Sequence, residues 1–162
     1  MPDNDRAIAL RPVLPDDEGF LLSVYASTRS AEVAMWGWAA AQQELFLKMQ
    51  FKAQSQSYQA QFPQAEHQII LCDGEPAGRL MVNRSDEAIL LVDIALLPPF
   101  QNRGIGTTLM RQLFKESAET RKPVRLQVLK FNQHAERLYT RLGFAQTGDN
   151  GMYLDMERAP GD

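Results

Sequence analysis

The sequence contains little cysteine and little histidine. Cys72 is the single cysteine among 162 residues, so no internal disulfide can form, which fits a reducing cytoplasm. A lone cysteine is either a reactive thiol or a small buried side chain, and its place in an apolar run favours burial. His67 and His134 are the only histidines and have no second ligand at metal-binding spacing, so we expect no metal site.

Long hydrophobic runs and an excess of basic charge are also missing. No apolar stretch reaches the roughly 18 residues that a membrane span requires, and residues 1–13 lack the pattern of a signal peptide. The formal net charge of −3 provides no general attraction for nucleic acid or anionic lipid. We therefore expect a cytoplasmic protein with no nucleic acid and no membrane among its partners.

The first third of the chain is patterned for one strand and two helices. Residues 7–13 alternate as a short strand, Asp16 can cap a helix that reaches residue 29, and a long helix is expected over residues 39–60. The buried side of the long helix is expected to carry Phe46, Met49 and Ala53. No repeat or linker follows, so we expect a single domain over residues 1–162.

Strands prevail in the rest of the chain. Residues 65–82 form two apolar runs around the turn-forming Asp73–Gly74 pair, and residues 88–97 are apolar enough for a strand covered on both faces. Then come a helix over residues 105–120, a strand over 124–129, a helix over 133–142, and two closing strands over 144–147 and 152–157. The order β-α-α-β-β-β-α-β-α-β-β predicts an α/β (α+β) fold, a mixed sheet with helices on both faces.

A glycine-containing turn joins the most apolar strand to the helix that follows it. Gly104 and Gly106 leave no Cβ between the backbone and a ligand. The first turn of a helix presents N–H groups without internal partners, and these attract anions. Arg103 adds a positive charge and Thr107 a hydroxyl donor. The turn is therefore either a phosphate cradle or a plain glycine-rich connection.

Two familiar phosphate loops do not match this turn. The sequence contains no G-x-x-x-x-G-K-S/T string, which a P-loop requires. A dinucleotide-binding turn needs a third glycine where this chain has Leu109. Both mismatches count against a nucleotide-binding α/β domain.

Two motifs resemble the GNAT superfamily of acyl-CoA-dependent N-acetyltransferases. The family signature has Gln or Arg, two residues, Gly, one residue, then Gly or Ala, and QNRGIG from Gln101 matches every fixed position. The second motif, LQVLKFNQHAERLYTRLGF, contains a strand, Asn132, a helix with Tyr139, and Gly-Phe. The resemblance covers about residues 11–157 and implies a mostly antiparallel sheet of six to seven strands flanked by four helices.

The resemblance implies acetyl-CoA as the cosubstrate and assigns residues to it. The pantetheine arm would pair with the strand backbone at Ile94, Ala95 and Leu96, as an added strand would. Asn132 would hydrogen-bond the pantetheine, although it is also placed to cap its helix. The pyrophosphate would lie on the backbone of Gln101, Asn102, Arg103, Gly104, Ile105, Gly106 and Thr107.

The implied reaction is direct attack of a primary amine on the thioester, through a tetrahedral intermediate. The acceptor would be a small molecule or a peptide, and family members are often homodimers. The Leu96 N–H would stabilise the oxyanion, and the Tyr139 hydroxyl would protonate the leaving thiolate. By spacing alone Tyr139 would be a core residue. The alternative to an enzyme is a CoA-binding regulatory module that has lost its chemistry.

The general base has several candidates. Asp93 is the one charge in its apolar strand, and it is either a base or a carboxylate satisfied by arginine or backbone partners. Many family members carry a glutamate earlier on this strand, where this chain has Leu90. Glu32, Glu44 and a water chain are further options.

The segment over residues 32–58 would cover the acceptor in this family. It carries Trp36, Trp38 and a glutamine-rich helix face that includes Gln50 and Gln54. We expect Trp36 to pack in the core, whereas Trp38 either packs or contacts the amine.

Overall fold

The computed structural model describes residues 7–161. Within that range it contains seven strands and four α-helices in the predicted order. The strands are β1 (Ile8–Pro12), β2 (Glu66–Cys72), β3 (Glu75–Arg84), β4 (Ile89–Leu96), β5 (Val124–Leu129), β6 (Ala145–Asp149) and β7 (Tyr153–Arg158). The helices are α1 (Glu18–Ala34), α2 (Ala40–Gln61), α3 (Ile105–Thr120) and α4 (Gln133–Arg141).

The described strands form one mixed sheet in the order β1-β2-β3-β4-β5-β7-β6. β4 and β5 are parallel, while β1 with β2, β5 with β7 and β6 with β7 are antiparallel. This confirms the predicted class: a mostly antiparallel sheet with four helices. Among the helices of residues 7–161, none combines the length and apolar character of a membrane span.

The described chain divides into two compact units. The first contains the residues up to Met81 together with Asp93–Ile105, and the second contains Val82–Val92 together with the residues from Gly106 onward. In the first unit a buried cluster of Leu21, Phe51 and Ile69 joins α1, α2 and β2. In the second, the buried residues include Leu109, Leu113, Val124, Leu126, Val128, Phe144, Leu154 and Met156.

Helix α1 begins and ends later than predicted. Its N-cap residue is Asp17 instead of Asp16, and Asp17 is also the last residue of a 3₁₀ turn over Pro15–Asp17. The Asp17 carboxylate accepts hydrogen bonds from the Leu14 N–H at 2.7 Å and from both terminal nitrogens of Arg11 at 2.8 Å. These bonds hold the chain that leads from β1 into α1. The helix then runs on through residues 30–34, where the sequence shows no clear period.

The predicted buried face of α2 was wrong for two of its three residues, since only Phe46 is half-buried. Met49 is 62% exposed and Ala53 is also exposed, whereas Leu47 and Phe51 are buried. The two buried residues are four apart, as one helix face requires, but that face is rotated by about one residue position from the predicted face. Because α2 has apolar residues on more than one side, its periodicity alone does not select the packed face.

The β3–β4 hairpin contains one residue more on β4 than on β3. Next to the turn, the Ser85 N–H donates to the Ala88 carbonyl at 3.1 Å. At the far end the Leu97 N–H donates to the Ala77 carbonyl at 2.8 Å. Residues 77 and 85 are eight apart, whereas 88 and 97 are nine apart. An extra residue on one strand is what a β-bulge introduces, so the register of β3 with β4 shifts by one residue between these two bonds.

Gly78 faces the backbone of β4 at Ala95 and Leu96. A Cβ at position 78 would lie 2.0 Å from the carbonyl oxygen of Ala95 and 3.0 Å from the Cα of Leu96. Both are main-chain atoms, which cannot move aside as a flexible side chain would. The close approach of β3 and β4 at Ala95 therefore requires glycine at this position.

We predict that Gly78→Ala destabilises the protein by at least about 2 kcal/mol, because the added methyl group must push β4 away from β3. Urea unfolding at equilibrium measures the change. Gly19→Ala in the first turn of α1 is the matched control, because a Cβ there meets nothing within 4 Å. Equal unfolding midpoints for the two variants would show that the strands are not in close contact at Ala95.

Candidate active site

The chain leaves β4 through a 3₁₀ turn over Pro98–Phe100 and reaches the glycine motif at Gln101. The Gln101 N–H donates to the Pro98 carbonyl at 3.2 Å, and the side-chain amide donates to the Leu96 carbonyl at 2.9 Å. Both donations are to protein carbonyls. Gln101 therefore fastens the loop to the end of β4, and its own N–H is committed within the protein.

The next residues present an open backbone at the start of α3. Gly104 has a φ of 82° and Asn102 a φ of 61°, which is the left-handed region. A Cβ added at Gly104 or Gly106 would have no described heavy atom within 4 Å. Asn102 and Arg103 make no hydrogen bond or ion pair with another described residue. Buried Ile105 anchors the first turn of α3, whose early N–H groups lack helical partners.

This geometry fits a diphosphate. The glycines leave the backbone open, the helix start offers N–H donors with partial positive charge, and the Arg103 guanidinium has no competing carboxylate among the described residues. Thr107, half-buried, follows within the same helical turn.

The second half of β4 is less covered than the first. Ile89 and Leu91 are buried, whereas Ile94, Ala95 and Leu96 are half-buried. In the register that the structure describes for β4 and β5, Ile89 lies opposite Val124 and Leu90 lies opposite Arg125. β4 thus pairs with β5 only near its beginning.

Asp93 lies on β4 in an ion pair with Arg79 of β3. The buried Arg79 side chain donates from Nε and Nη2 to the same oxygen, Oδ2 of Asp93, and its Nη2 also donates to Gln54 Oε1 at 3.2 Å. The Asp93 side chain is 23% exposed. The sequence allowed Asp93 to be either a base or a carboxylate paired with arginine, and the structure shows the pair with arginine. Oδ1 accepts no hydrogen bond from a described residue.

His67 of β2 adjoins this pair. The pKa of His67 is lowered from its usual value to about 4: burial is the largest cause, the positive charge of Arg79 adds to it, and the negative charge of Asp93 partly offsets both. Its Nε2 is buried and has no hydrogen-bond partner among the described residues. With Phe51, Tyr58 and Arg79 it lines a cavity of about 310 Å³. This neutral imidazole and the Arg79–Asp93 pair were not predicted as a cluster.

The second motif places Asn132 and Tyr139 on α4. Asn132 caps the helix, because its Oδ1 accepts a hydrogen bond from the Ala135 N–H at 3.1 Å. Its side-chain nitrogen makes no hydrogen bond with a described residue, so it is available to a ligand. Tyr139 is half-buried, and its ring meets the edge of buried Phe144 at a centroid distance of 5.6 Å. It is therefore partly a packing residue and partly accessible.

The other candidate carboxylates are exposed and paired. Glu32 binds Arg29 at 3.0 Å and Glu44 lies 3.3 Å from Lys48, each one turn away on the same helix. Such surface pairs are typical of solvated helix faces. Cys72 is buried, as favoured. Among residues 7–161, no three His, Cys, Asp or Glu side chains are grouped as metal ligands would be.

Both tryptophans pack into one aromatic cluster. Trp36 and Trp38 lie 5.1 Å apart between ring centroids, and their distances to Phe46 are 5.2 and 5.5 Å. Each indole is 41% exposed. Trp36 packs against aromatic neighbours but, contrary to expectation, does not lie in the core, and Trp38 packs in the same cluster with the same exposure.

Comparison with known families settles the relationship that the two motifs indicate. The profile of the acetyltransferase (GNAT) family matches residues 31–144, which is more than half of the chain. The chain belongs to this family. It is a GNAT-family N-acetyltransferase, and the matched range contains the glycine loop, Asn132 and Tyr139. The comparison with curated protein sequences gave no significant match.

Solved structures share the fold at low sequence identity. PaiA N-acetyltransferase from Thermoplasma acidophilum, solved in complex with coenzyme A, is 17% identical with a TM-score of 0.69, and the match covers 94% of this chain and 99% of that one. An acetyltransferase from Thermus thermophilus is 20% identical with a TM-score of 0.68, covering 94% and 97%. A GNAT family acetyltransferase from Elizabethkingia anophelis with acetyl-CoA bound is 16% identical with a TM-score of 0.59, also covering 94% and 97%.

We predict that His67 makes the protein less stable in mild acid. Its folded pKa of about 4 lies below the unfolded value, so the unfolded chain binds a proton first as pH falls. The stabilisation from the neutral imidazole is complete above about pH 6.5 and is lost between about pH 6.5 and 4, by roughly 3 kcal/mol at most. Urea unfolding of wild type and His67→Gln at pH 7 and 4.5 measures this loss.

The exposed His134 supplies the control, because His134→Gln removes the other imidazole of the chain. We expect His134→Gln to lose as much stability between pH 7 and 4.5 as wild type, and His67→Gln to lose less. Equal losses in all three proteins would contradict a buried neutral His67.

Proposed function

We propose that this protein transfers the acetyl group of acetyl-CoA to a primary amine of a small molecule or peptide. The open glycine loop at the start of α3 is the observation that carries the proposal, because its backbone suits the diphosphate of the cosubstrate. Similar folds bind this group: the T. acidophilum protein was solved with coenzyme A and the E. anophelis protein with acetyl-CoA. A homodimer and a cytoplasmic location remain predictions.

The diphosphate would be held by backbone N–H groups from Asn102 to Thr107, with Gly104, Ile105 and Gly106 between them. Arg103 would add a full positive charge close to these donors. Gln101 supports the site in a different way, because its two donors fix the loop to β4. We therefore assign Gln101 to the shape of the cradle rather than to direct contact through its N–H.

The pantetheine arm would pair with the edge of β4 at Ile94, Ala95 and Leu96, as an added strand would. Two observations support this assignment: these residues are half-buried, and the pairing of β4 with β5 ends at Leu90. An extended ligand can use strand N–H and C=O groups that no neighbouring strand occupies. The Leu96 N–H would then donate to the thioester oxygen, and the side-chain nitrogen of Asn132 would donate to a pantetheine carbonyl.

The reaction requires that one C–N bond forms, one C–S bond breaks, and one proton passes from the amine to the leaving sulfur. The amine nitrogen attacks the thioester carbon, and the oxyanion that develops is stabilised by the Leu96 N–H. Tyr139 donates its hydroxyl proton to the coenzyme A thiolate. Asp93 accepts the amine proton through its Oδ1, directly or through water, while Arg79 holds Oδ2.

We predict that Gly104→Ala weakens coenzyme A binding at least about tenfold, because an alanine at a φ of 82° is strained by about 1–2 kcal/mol and the loop must relax away from the cradle. Isothermal titration with coenzyme A measures the affinity. S-acetyl-pantetheine, which lacks the diphosphate, should lose no affinity.

Gly106→Ala is the matched control for this variant. It adds the same methyl group at a position with open space and no left-handed φ, and the GNAT signature allows alanine there. We expect near-wild-type affinity. Unchanged coenzyme A binding by Gly104→Ala, at an unchanged unfolding midpoint, would refute the cradle.

We predict that Tyr139→Phe keeps coenzyme A affinity and lowers kcat about 10²-fold or more, the usual contribution of a positioned acid. The variant keeps the ring and its contact with Phe144, and thermal unfolding verifies that the fold is intact. Thiol release is measured over an amine panel across pH. Wild-type kcat at every pH would remove the acid role from Tyr139.

Asp93→Asn belongs in the same series. If Asp93 accepts the amine proton, this variant lowers kcat most at low pH, where less of the amine is already deprotonated. A pH profile of kcat equal to that of wild type would show that water, and not Asp93, accepts the amine proton. Wild-type protein that binds acetyl-CoA but releases no thiol with any amine would instead favour the inactive regulatory module.

A further inference from the structure

A second concave surface lies within the unit that contains α3, α4 and β7. It is a cavity of about 450 Å³ bordered by the second half of α3, the end of α4 and the end of β7. Among the described residues, four of its lining side chains are cationic and none is a carboxylate: Arg111, Lys115, Arg141 and Arg158. This concentration is notable in a chain with 17 basic and 20 acidic residues.

Three of the four cations have no partner within the described chain. Arg111, Lys115 and Arg141 make no ion pair or hydrogen bond with any described residue. Other basic residues of the same unit form ion pairs: Arg84 with Glu116, Arg125 with Glu157 and Lys130 with Asp149. Apart from Arg121, the cations of this unit that lack a described partner all line the cavity.

Arg158 adds a polar group that lacks an acceptor. Its Nε donates to the Leu142 carbonyl at 2.9 Å, and its guanidinium lies 3.9 Å from the centre of the Phe114 ring. These contacts fix the side chain, yet its Nη1 is buried and has no hydrogen-bond partner among the described residues. A buried donor left unsatisfied destabilises the protein, so the site favours a ligand that brings an acceptor.

Arg111 and Lys115 also repel each other. They lie four residues apart on one face of α3, where two like charges destabilise the helix. An anion bound between them would turn this repulsion into attraction. Guanidinium groups match the oxygens of phosphate in paired hydrogen bonds, and several cations together favour a multiply charged anion.

We propose that this cavity binds a compact phosphate-bearing anion, such as pyrophosphate or a small phosphate ester. Phe114 and Leu142 give the cavity apolar surface beside its four cations, so it can also take a short organic group attached to the phosphate. No step of the acetyl transfer uses these residues.

The lining of the cavity contains none of the residues proposed to hold coenzyme A, and it lies far from Asn132. Arg158 pairs with Val124 at the beginning of β5, whereas Asn132 follows the far end of that strand. At about 3.3 Å per residue, β5 places these positions roughly 17 Å or more apart. Arg141 likewise lies at the end of α4 opposite to Asn132. The coenzyme A residues proposed above are therefore not part of this site.

The test is isothermal titration of the protein with sodium pyrophosphate at constant ionic strength, with and without saturating coenzyme A. Coenzyme A occupies the glycine loop, so the binding that remains reports the cavity. We expect one saturable site in the presence of coenzyme A. Arg111→Gln and Arg141→Gln should each weaken it about tenfold, the size of one charge-assisted contact.

Lys52→Gln is the matched control. It removes one exposed positive charge from α2, in the other unit, and should change the affinity less than about twofold. Absence of saturable binding, loss of all binding when coenzyme A is present, or equal weakening in Lys52→Gln and the arginine variants would each overturn the proposal. Thermal unfolding of every variant without anion verifies that the fold is intact.

Discussion

The close contact of β3 and β4 at Gly78 and Ala95 sets the geometry of the glycine loop. Because glycine leaves the Ala95 carbonyl and the Leu96 Cα in close contact with β3, position 78 determines how near the end of β4 comes to β3. The Leu96 carbonyl in turn accepts a hydrogen bond from the side chain of Gln101. The start of the glycine loop is thus attached to the strand that would hold the thioester. A substitution at position 78 that displaces β4 would therefore also displace Gln101.

A buried ion pair between side chains supports the same strand. Arg79 is nearly inaccessible, and a guanidinium in that position is tolerated only when its charge and donors are satisfied. Asp93 supplies the charge and Gln54 of α2 supplies a further acceptor. Asp93 therefore neutralises Arg79 whether or not it transfers a proton. Its Oδ2 makes this ion pair, and its Oδ1 is left for the proposed chemical role.

The sequence predicts some elements of this fold better than others, for physical reasons. α3 and β5 were predicted with the bounds that the structure has, because each has a regular apolar period and a clear turn before it. The buried face of α2 was wrong, since which apolar side packs depends on the sheet beneath it. The glycine loop was found from local chemistry, whereas the contact of Arg79 with Asp93 depends on strand pairing across the hairpin. The cluster with His67 needs a third strand and was therefore missed.

The position of β7 has a consequence for how the protein is made. β7 lies between β5 and β6 in the sheet, although it follows both in the chain. A ribosome releases the chain from its N-terminus onward, so β5 and β6 emerge before the strand that must separate them. The nascent chain therefore carries an unpartnered edge on each of these strands until residues 153–158 leave the exit tunnel, and β5 and β6 join one sheet only once β7 is available.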